Sequence, residues 1–512
     1  MASAFVDDTI LVATAKNFTE MHNILKDMMN REGGAIEWST KHNSKFEFSK
    51  LALINFAHRN CKKDRPNLEM MDFTVTPTQS TKYLGVYLDQ HLSWNTHIAH
   101  AIKKGVDWSL RIRRAVTPSW GLTPKHAHKL FISVALPKIL YAVDVWGIPK
   151  PIEDTAITKR GTSGAVVKLT SIQRAGMLAV TGGLRTMLTD VFDLHAFVMP
   201  LHLEIDKVCH IAASRIATLP PTHLLYKLAR LSSNPITKHH KSPLHQLMQT
   251  YAMKPQEMET ISPALCNLAL THKRAFSISI ARSKEDSIEE DTKVSEAVRI
   301  YTDGSAQEGK VDAAAIMIRQ GEPNRVLHYH LGPSTNHMVH EAELVGMLLG
   351  LHLIKTDRKG RTSYTLGIDN QVVISALNLV KATTGQHIAN EILETATCIK
   401  KQRNSSKYSL TVRWTAGHAG IEGNEEVDSK AKKAAEGHTS DKKVLLLLLH
   451  KALKNNKVAL RQSRKEKLKK WWEQEWDASD RTAKYNSIGF SSLSNNFIKL
   501  ISDDNLSRND AS

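Results

Sequence analysis

Four carboxylates and one histidine in the C-terminal half of the chain have types and spacings that could do chemistry. In RIYTDGS, strand alternation puts Tyr301 and Asp303 on one face. In TLGIDN it puts Thr365, Gly367 and Asp369 on one face. If the two strands are neighbours, two carboxylates meet at one edge of a sheet. Glu343 lies in the helical stretch between them in sequence. Asp428 lies one turn inside a helix that Asn424 is placed to cap, where the macrodipole favours an acid. His418 stands in a glycine-flanked loop just before that helix. Converging acids repel one another unless cations sit among them. Two divalent ions about 4 Å apart can activate a water and stabilise a leaving oxygen, which is what phosphodiester hydrolysis demands. Hard Mg²⁺ prefers carboxylate oxygens and retains waters, and a neutral histidine at the rim can move a proton.

These side chains need a scaffold, and residues 298–437 supply an α/β pattern for one. VRIYTDGS, AAAIMIRQG and RVLHYHLG read as three strands and NHMVHEAELVGMLLGLHLI as a helix. SYTLGIDN is a fourth strand, HIANEILETATCIKKQR a helix, YSLTVRWTAGH a fifth strand and NEEVDSKAKKAAEG a helix. Three strands followed by alternating helices and strands imply a mixed five-stranded sheet with flanking helices.

The rest of the 512 residues divides by composition. Residues 1–90 begin with SAFVDDTILVA, whose apolar arms around Asp7 and Asp8 suit a tight hairpin. Residues 91–283 are mostly helical by apolar spacing. Residues 284–297 hold six acids and few apolar residues, and read as an acidic linker. Residues 438–512 form a basic helical tail, with eleven Lys or Arg against two acids between 441 and 470. There Lys467, Lys469 and Lys470 suit phosphates and Trp471, Trp472 or Trp476 suit bases, unless the tryptophans dock on the core. The sheet unit is expected to end near Gly437 and to keep its activity without the tail.

Lys and Arg exceed Asp and Glu by 18, which implies a polyanionic partner, most simply nucleic acid. The four cysteines share no metal-ligand spacing and suggest no disulfide framework. No secretory signal or membrane-length apolar run is read, so the expected setting is intracellular, cytoplasmic or nuclear, and not secreted. No membrane partner and no small-molecule cofactor are expected.

YTDGS, then EAEL opening a helix, then GIDNQ ending a strand, then WTAGHAGIEGNEEVDSKAK together strongly resemble type 1 ribonuclease H domains. The resemblance implies a ribonuclease H-like fold and endonucleolytic cleavage of the RNA strand of RNA–DNA hybrids. It implies that Asp303, Glu343, Asp369 and Asp428 bind two Mg²⁺, with Mn²⁺ able to substitute, and that His418 assists product release or proton transfer. Gly304, Ser305, Gln371 and Asn424 match family positions near the hybrid. Glu341 and Glu343 differ by about 200° around a helix, so only one can face the metals, and the AEL context selects Glu343. MVHE stands where many members place paired polar residues against the ribose hydroxyls, and the basic protrusion of some members is absent.

FVDD at 5–8 resembles the palm hairpin of reverse transcriptases. GAIEWSTKHNSKFEFSKLALINF and KYLGVYLDQHLSWNTHI resemble the segments downstream of that hairpin in non-LTR retrotransposon polyproteins. YAVDVW, SIQRAGMLAVTGGLRT and RIATLPPTHLL resemble the thumb or connection segment that joins polymerase to ribonuclease H in those elements. On that resemblance Asp7 and Asp8 are vestiges of a polymerase metal site in a truncated palm. Such a site needs a third aspartate from a strand well upstream, and six residues precede Asp7, so polymerase activity is not expected. The competing expectation is a catalytically silent, nucleic-acid-binding remnant of such a polyprotein.

Overall fold

A computed structural model gives the fold. It describes residues 2–5, 8–57, 65–70, 73–116, 121–149, 163–234, 242–262, 275–293, 298–359, 363–377, 383–403, 408–417, 419–434 and 438–487, with positions 493, 497 and 499. The chain divides into two compact units. One comprises Met1–Gly147, Ala156–Ile205 and Ser479–Ser512, the other Ile148–Thr155 and Asp206–Ala478.

The first unit is helical with small hairpins. Ala2–Phe5 pairs antiparallel with Asp8–Leu11, and Phe5 stands opposite Asp8. Asp8 is exposed at this hairpin, and Asp7 lies outside the described residues. Leu68–Glu69 with Thr74–Val75, and Ser80–Tyr83 with Val86–Asp89, are likewise two-stranded. Pairs of that size are marginal alone and need packing against helices. The helix Asn95–Ala115 supplies it for the Ser80–Tyr83 and Val86–Asp89 pair, where Tyr87 N donates to His97 Nδ1 at 3.2 Å, and it also lies close to Ser163–Thr181. A Cβ on Gly105 would stand 2.9 Å from the Ile172 side chain, and Ser109 Oγ donates to Ile172 O at 3.3 Å.

The second unit holds a six-stranded mixed sheet. Its elements in chain order are β1 (Ser277–Ser279), α1 (Lys284–Thr292), β2 (Val298–Gln307), β3 (Lys310–Arg319), β4 (Arg325–Pro333), α2 (Val339–Lys355), β5 (Ser363–Ile368), α3 (Gln371–Ala376), α4 (Gln386–Arg403), β6 (Ser409–Trp414), α5 (Glu422–Ala434) and α6 (Lys457–Asp477). The strand order is β4-β3-β2-β5-β6-β1. β2, β3 and β4 form an antiparallel meander, and β5 joins β2 in parallel, as do β6 and β1 beyond it. All five expected strands are present, and β1 adds a sixth at the edge. The main core includes Ile300, Leu366 and Val412 of the sheet with Leu348 and Leu351 of α2 and Ile392 of α4. A smaller cluster of Tyr301, Ala314 and Ile316 packs under Val427 and Ala431 of α5.

The acidic stretch expected as a linker is helical over Lys284–Thr292 and tied to the sheet. Ser283 caps α1 by accepting from Asp286 N at 3.0 Å, and Glu285 and Asp286 sit in the first turn, where acids are favoured. Buried Ser287 Oγ donates to Trp414 O at 3.1 Å and accepts from Ala416 N at 3.0 Å. Tyr301 Oη donates to Asp291 Oδ1 at 3.0 Å, and burial together with that carboxylate pushes the phenol up to about 12. Composition alone missed this because two of the acids sit in the first helical turn and Asp291 is a partner of Tyr301, rather than all forming a solvated run. Residues 294–297 lie outside the described residues.

The tail departs from expectation in the same way. Ser440 exchanges hydrogen bonds with the His328 backbone, at 3.0 and 2.9 Å, and Tyr329 Oη donates to Lys451 O at 3.1 Å. Leu445, Leu446, Leu449 and Leu453 are buried in the main core. The sheet unit therefore extends past Gly437. Beyond it, Asn456 caps α6 by accepting from Val458 N and Ala459 N. Trp472 and Trp476 of α6 are buried while Lys467, Lys469 and Lys470 are exposed. Two of the three tryptophans thus belong to packing. No described helix is long and apolar enough to cross a membrane.

Candidate active site

Three acids converge where β2, α2 and the end of β5 meet. Parallel register pairs Ile368 with Thr302, so Asp303 and Asp369 each follow a paired residue on adjacent strands. Glu343 reaches them from the first turns of α2. That approach depends on Gly304, where a Cβ would stand 2.3 Å from Glu343 N and 2.5 Å from Ala342 C. Gly346 repeats the fit, its would-be Cβ lying 3.1 Å from Asp303 O. The result is one carboxylate oxygen from each of Asp303, Glu343 and Asp369 within 4.8 Å of the others. Asp303 and Glu343 are buried and Asp369 is half-buried.

The electrostatics reflect that crowding. Burial, then the charges of Asp369 and Asp303, push the Glu343 carboxyl up to about 9, against hydrogen bonds from the Asn370 side chain and the Gly304 amide. Glu343 Oε2 is buried with no hydrogen-bond donor among the described residues. A buried, crowded carboxylate with an oxygen left over is what a hard divalent cation completes. These three residues could hold one.

Glu341, two positions earlier, is spent differently. Its Oε2 accepts from Met338 N at 3.1 Å, closing the first turn of α2, and lies 3.4 Å from His337 Nδ1. Asp428 lies half-buried in α5, outside the three-carboxylate group. α5 begins at Glu422, with Ile421 O accepting from Asn424 N and Glu425 N. Asn424 is therefore inside the helix rather than its cap, and its buried Oδ1 has no partner among the described residues. Gly423 lets α5 settle on the sheet, since a Cβ there would meet the Tyr301 ring at 2.2 Å. Half-buried Ser305 follows Gly304, and its Oγ has no hydrogen-bond partner among the described residues. Gln371 is exposed at the start of α3. His418 lies outside the described residues, but the loop leading to it runs beside Asp369. Thr415 N donates to Ile368 O at 2.9 Å, Trp414 Nε1 to Asp369 O at 2.9 Å, and a Cβ on Gly417 would stand 3.2 Å from Asp369 Oδ2.

Asn370 is the residue that sequence reasoning passed over. Its Oδ1 caps α3 by accepting from Val372 N at 3.0 Å, while its side chain also donates to Glu343. An asparagine directly after a strand-end aspartate and before a helix was the available signal.

Residues 295–436 match the protein-family model described as RNase H. With the sheet order above, this stretch is an RNase H-like domain. In sequence the chain is similar to retrotransposon polymerase proteins. It is 24% identical over 154 residues to the RNA-directed DNA polymerase from mobile element jockey of Drosophila funebris, covering 29% of this chain and 16% of that protein. It is 24% identical over 208 residues to the retrovirus-related Pol polyprotein from type-1 retrotransposable element R1 of Nasonia vitripennis, covering 40% of this chain and 58% of that one. The chain thus spans less than two thirds of either relative. Among solved structures it is similar to RNase H1 from Halobacterium salinarum, at 14% identity and a TM-score of 0.21, covering 28% of this chain and 98% of that one.

Proposed function

We propose that the domain is a ribonuclease H that cuts the RNA strand of RNA–DNA hybrids internally, using divalent cations. The observation that carries this reading is the cluster of buried Asp303 and Glu343 with half-buried Asp369, where β2 meets the end of β5 inside a stretch matching the RNase H family. In this reading Asp303, Glu343 and Asp369 hold two Mg²⁺, or Mn²⁺, together with Asp428. Bound there, the cations supply an activated water and stabilise the leaving oxygen. Asn370 and the Gly304 amide orient Glu343, and His418 assists product release or proton transfer. Gly304, Ser305, Gln371 and Asn424 lie along the hybrid. Asp7 and Asp8 do not contribute to a polymerase site, and among the described residues Asp8 belongs to no group of three metal-ligating side chains. A hybrid, a duplex RNA and a duplex DNA of one sequence test the assignment. Cuts are expected in the RNA strand of the hybrid alone, and equal cutting of duplex RNA overturns it.

Metal binding has a readout apart from cleavage. A carboxyl raised to about 9 is protonated at pH 7, so in the metal-free protein its stabilising contribution is full below about 4.5 and declines as pH rises toward 9. A cation must displace that proton. Mg²⁺ affinity by calorimetry should therefore rise up to about tenfold per pH unit between pH 6 and 8.5 and flatten above 9. Glu343→Gln should remove the slope. An affinity independent of pH in the unaltered protein would count against Glu343 as a ligand.

One observation favours a second reading. Asp428 stands outside the three-carboxylate group, which suits a silent nucleic-acid-binding remnant. That reading expects hybrid binding, with the RNA left intact at saturating Mg²⁺ and Mn²⁺.

A further inference from the structure

A cavity of about 310 Å³ opens between residues 250–258 and α6, away from the carboxylates. His210, Tyr251 and Trp471 give its lining three aromatic rings. The His210 and Tyr251 rings meet edge to face, with centroids 5.2 Å apart at 86°. Arg464 lies over Tyr251 at 5.2 Å and over Trp471 at 4.8 Å, and its guanidinium is bound to Asp206 by two hydrogen bonds of 2.7 Å. The guanidinium charge is thus matched by a buried carboxylate, and Arg464 acts as a strut between two aromatic side chains. Burial and the neighbouring Arg464, Arg461 and Lys467 hold the His210 imidazole down to about 4, so the ring is neutral at pH 7. Met253 and Met258 are buried beneath. Lys467 stands exposed at the lining, with no carboxylate partner among the described residues. Lys254, also at the lining, is paired with Glu257 at 3.0 Å.

We propose that this cavity binds one nucleotide of a single-stranded nucleic acid, its base against Trp471 and the His210–Tyr251 wall and its phosphate on Lys467. The volume lies at the low end of the roughly 300–1,000 Å³ of small-ligand pockets, enough for one base and its sugar. Every base has a π-face that stacks on aromatic side chains, and lysines track the backbone. An acidic peptide fits less well, because aromatic faces carry negative quadrupole charge that repels carboxylates. Exposed Lys470 lies one turn beyond Lys467 on the same side of α6, while Lys469 is paired with Glu473 at 3.5 Å.

The test is binding of short labelled oligothymidylate and oligouridylate to the full chain, beside an abasic strand of equal length and charge. Base-bearing strands should bind more tightly than the abasic one. Trp471→Ala should weaken only the base-bearing strands, by about 5- to 150-fold, the range for one stacked base. Ser463→Phe should reproduce that loss by filling the cavity while leaving Trp471 in place, so it decides the matter if Trp471→Ala misfolds. Lys467→Gln should weaken all three strands and lower the log–log salt slope by about 0.7, the loss of one phosphate contact on a single strand. Equal affinity for base-bearing and abasic strands, unchanged binding in Ser463→Phe, or tighter binding of an oligoglutamate peptide overturns the proposal. Because binding rather than cleavage is read, the outcome does not depend on the carboxylate site.

Discussion

Asp369→Asn is expected to bring hybrid cleavage down to the background seen with EDTA, while hybrid binding persists. Asparagine keeps the size of the side chain and removes one of the three carboxyl groups that crowd together where β2 meets the end of β5. Loss of even one preorganised electrostatic group costs about 10²–10³ in rate, and here the group also holds a cation. The same change relieves repulsion on Glu343, whose carboxyl is raised in part by Asp369. The metal-free protein should therefore melt no lower than the unaltered one, which separates lost chemistry from lost structure. His418→Ala should be milder, losing about 10²–10⁴ and leaving measurable cutting if the ring transfers a proton in the slow step. Equal and complete loss in both variants, with the fold intact, contradicts these separate roles.

Ending the chain at Gly437 is expected to destroy the sheet unit rather than trim it. Leu445, Leu446, Leu449 and Leu453 are each less than 9% exposed and sit in the main core. Burying a leucine contributes about 1.5–3 kcal/mol, so four contribute roughly 6–12 kcal/mol as an upper estimate. Domains are stable by only about 5–15 kcal/mol. A chain ending at 437 should lose its cooperative melt and aggregate. In the full chain, Leu446→Ala with Leu449→Ala should cost about 4–10 kcal/mol in denaturant unfolding. A cooperative melt of the 437 truncation at an unchanged midpoint would show that these leucines are ornamental.

Legibility in the sequence tracked how local the determining physics was. Asp303 and Asp369 could be read because strand alternation is local and regular, although their meeting required β2 and β5 to be neighbours. Glu343 needed the AEL context, since Glu341 is equally helical and only the structure shows it bound to Met338 N and near His337. Asn424 was expected as a cap from residue type alone, but α5 starts two residues earlier because Ile421 O takes the first helical hydrogen bonds. The acidic helix at Lys284–Thr292 was hidden because its partners, Trp414, Ala416 and Tyr301, lie elsewhere in sequence. β1 is three residues of SIS, too short and polar to read as a strand until β6 is beside it. The leucines after Gly437 looked like part of a basic tail because net charge averages over a segment while burial is decided residue by residue.

The central claim is that the domain cleaves RNA paired with DNA by means of bound divalent cations. The most direct measurement is the fate of a hybrid labelled at the 5′ end of its RNA strand, incubated with the purified full chain in Mg²⁺ and, separately, in EDTA. Shortened 5′-labelled RNA fragments ending at internal positions should appear with Mg²⁺, be absent with EDTA, and return when Mg²⁺ is restored, while the DNA strand stays whole. RNA left intact in both Mg²⁺ and Mn²⁺ by a folded protein that still binds the hybrid would contradict the account.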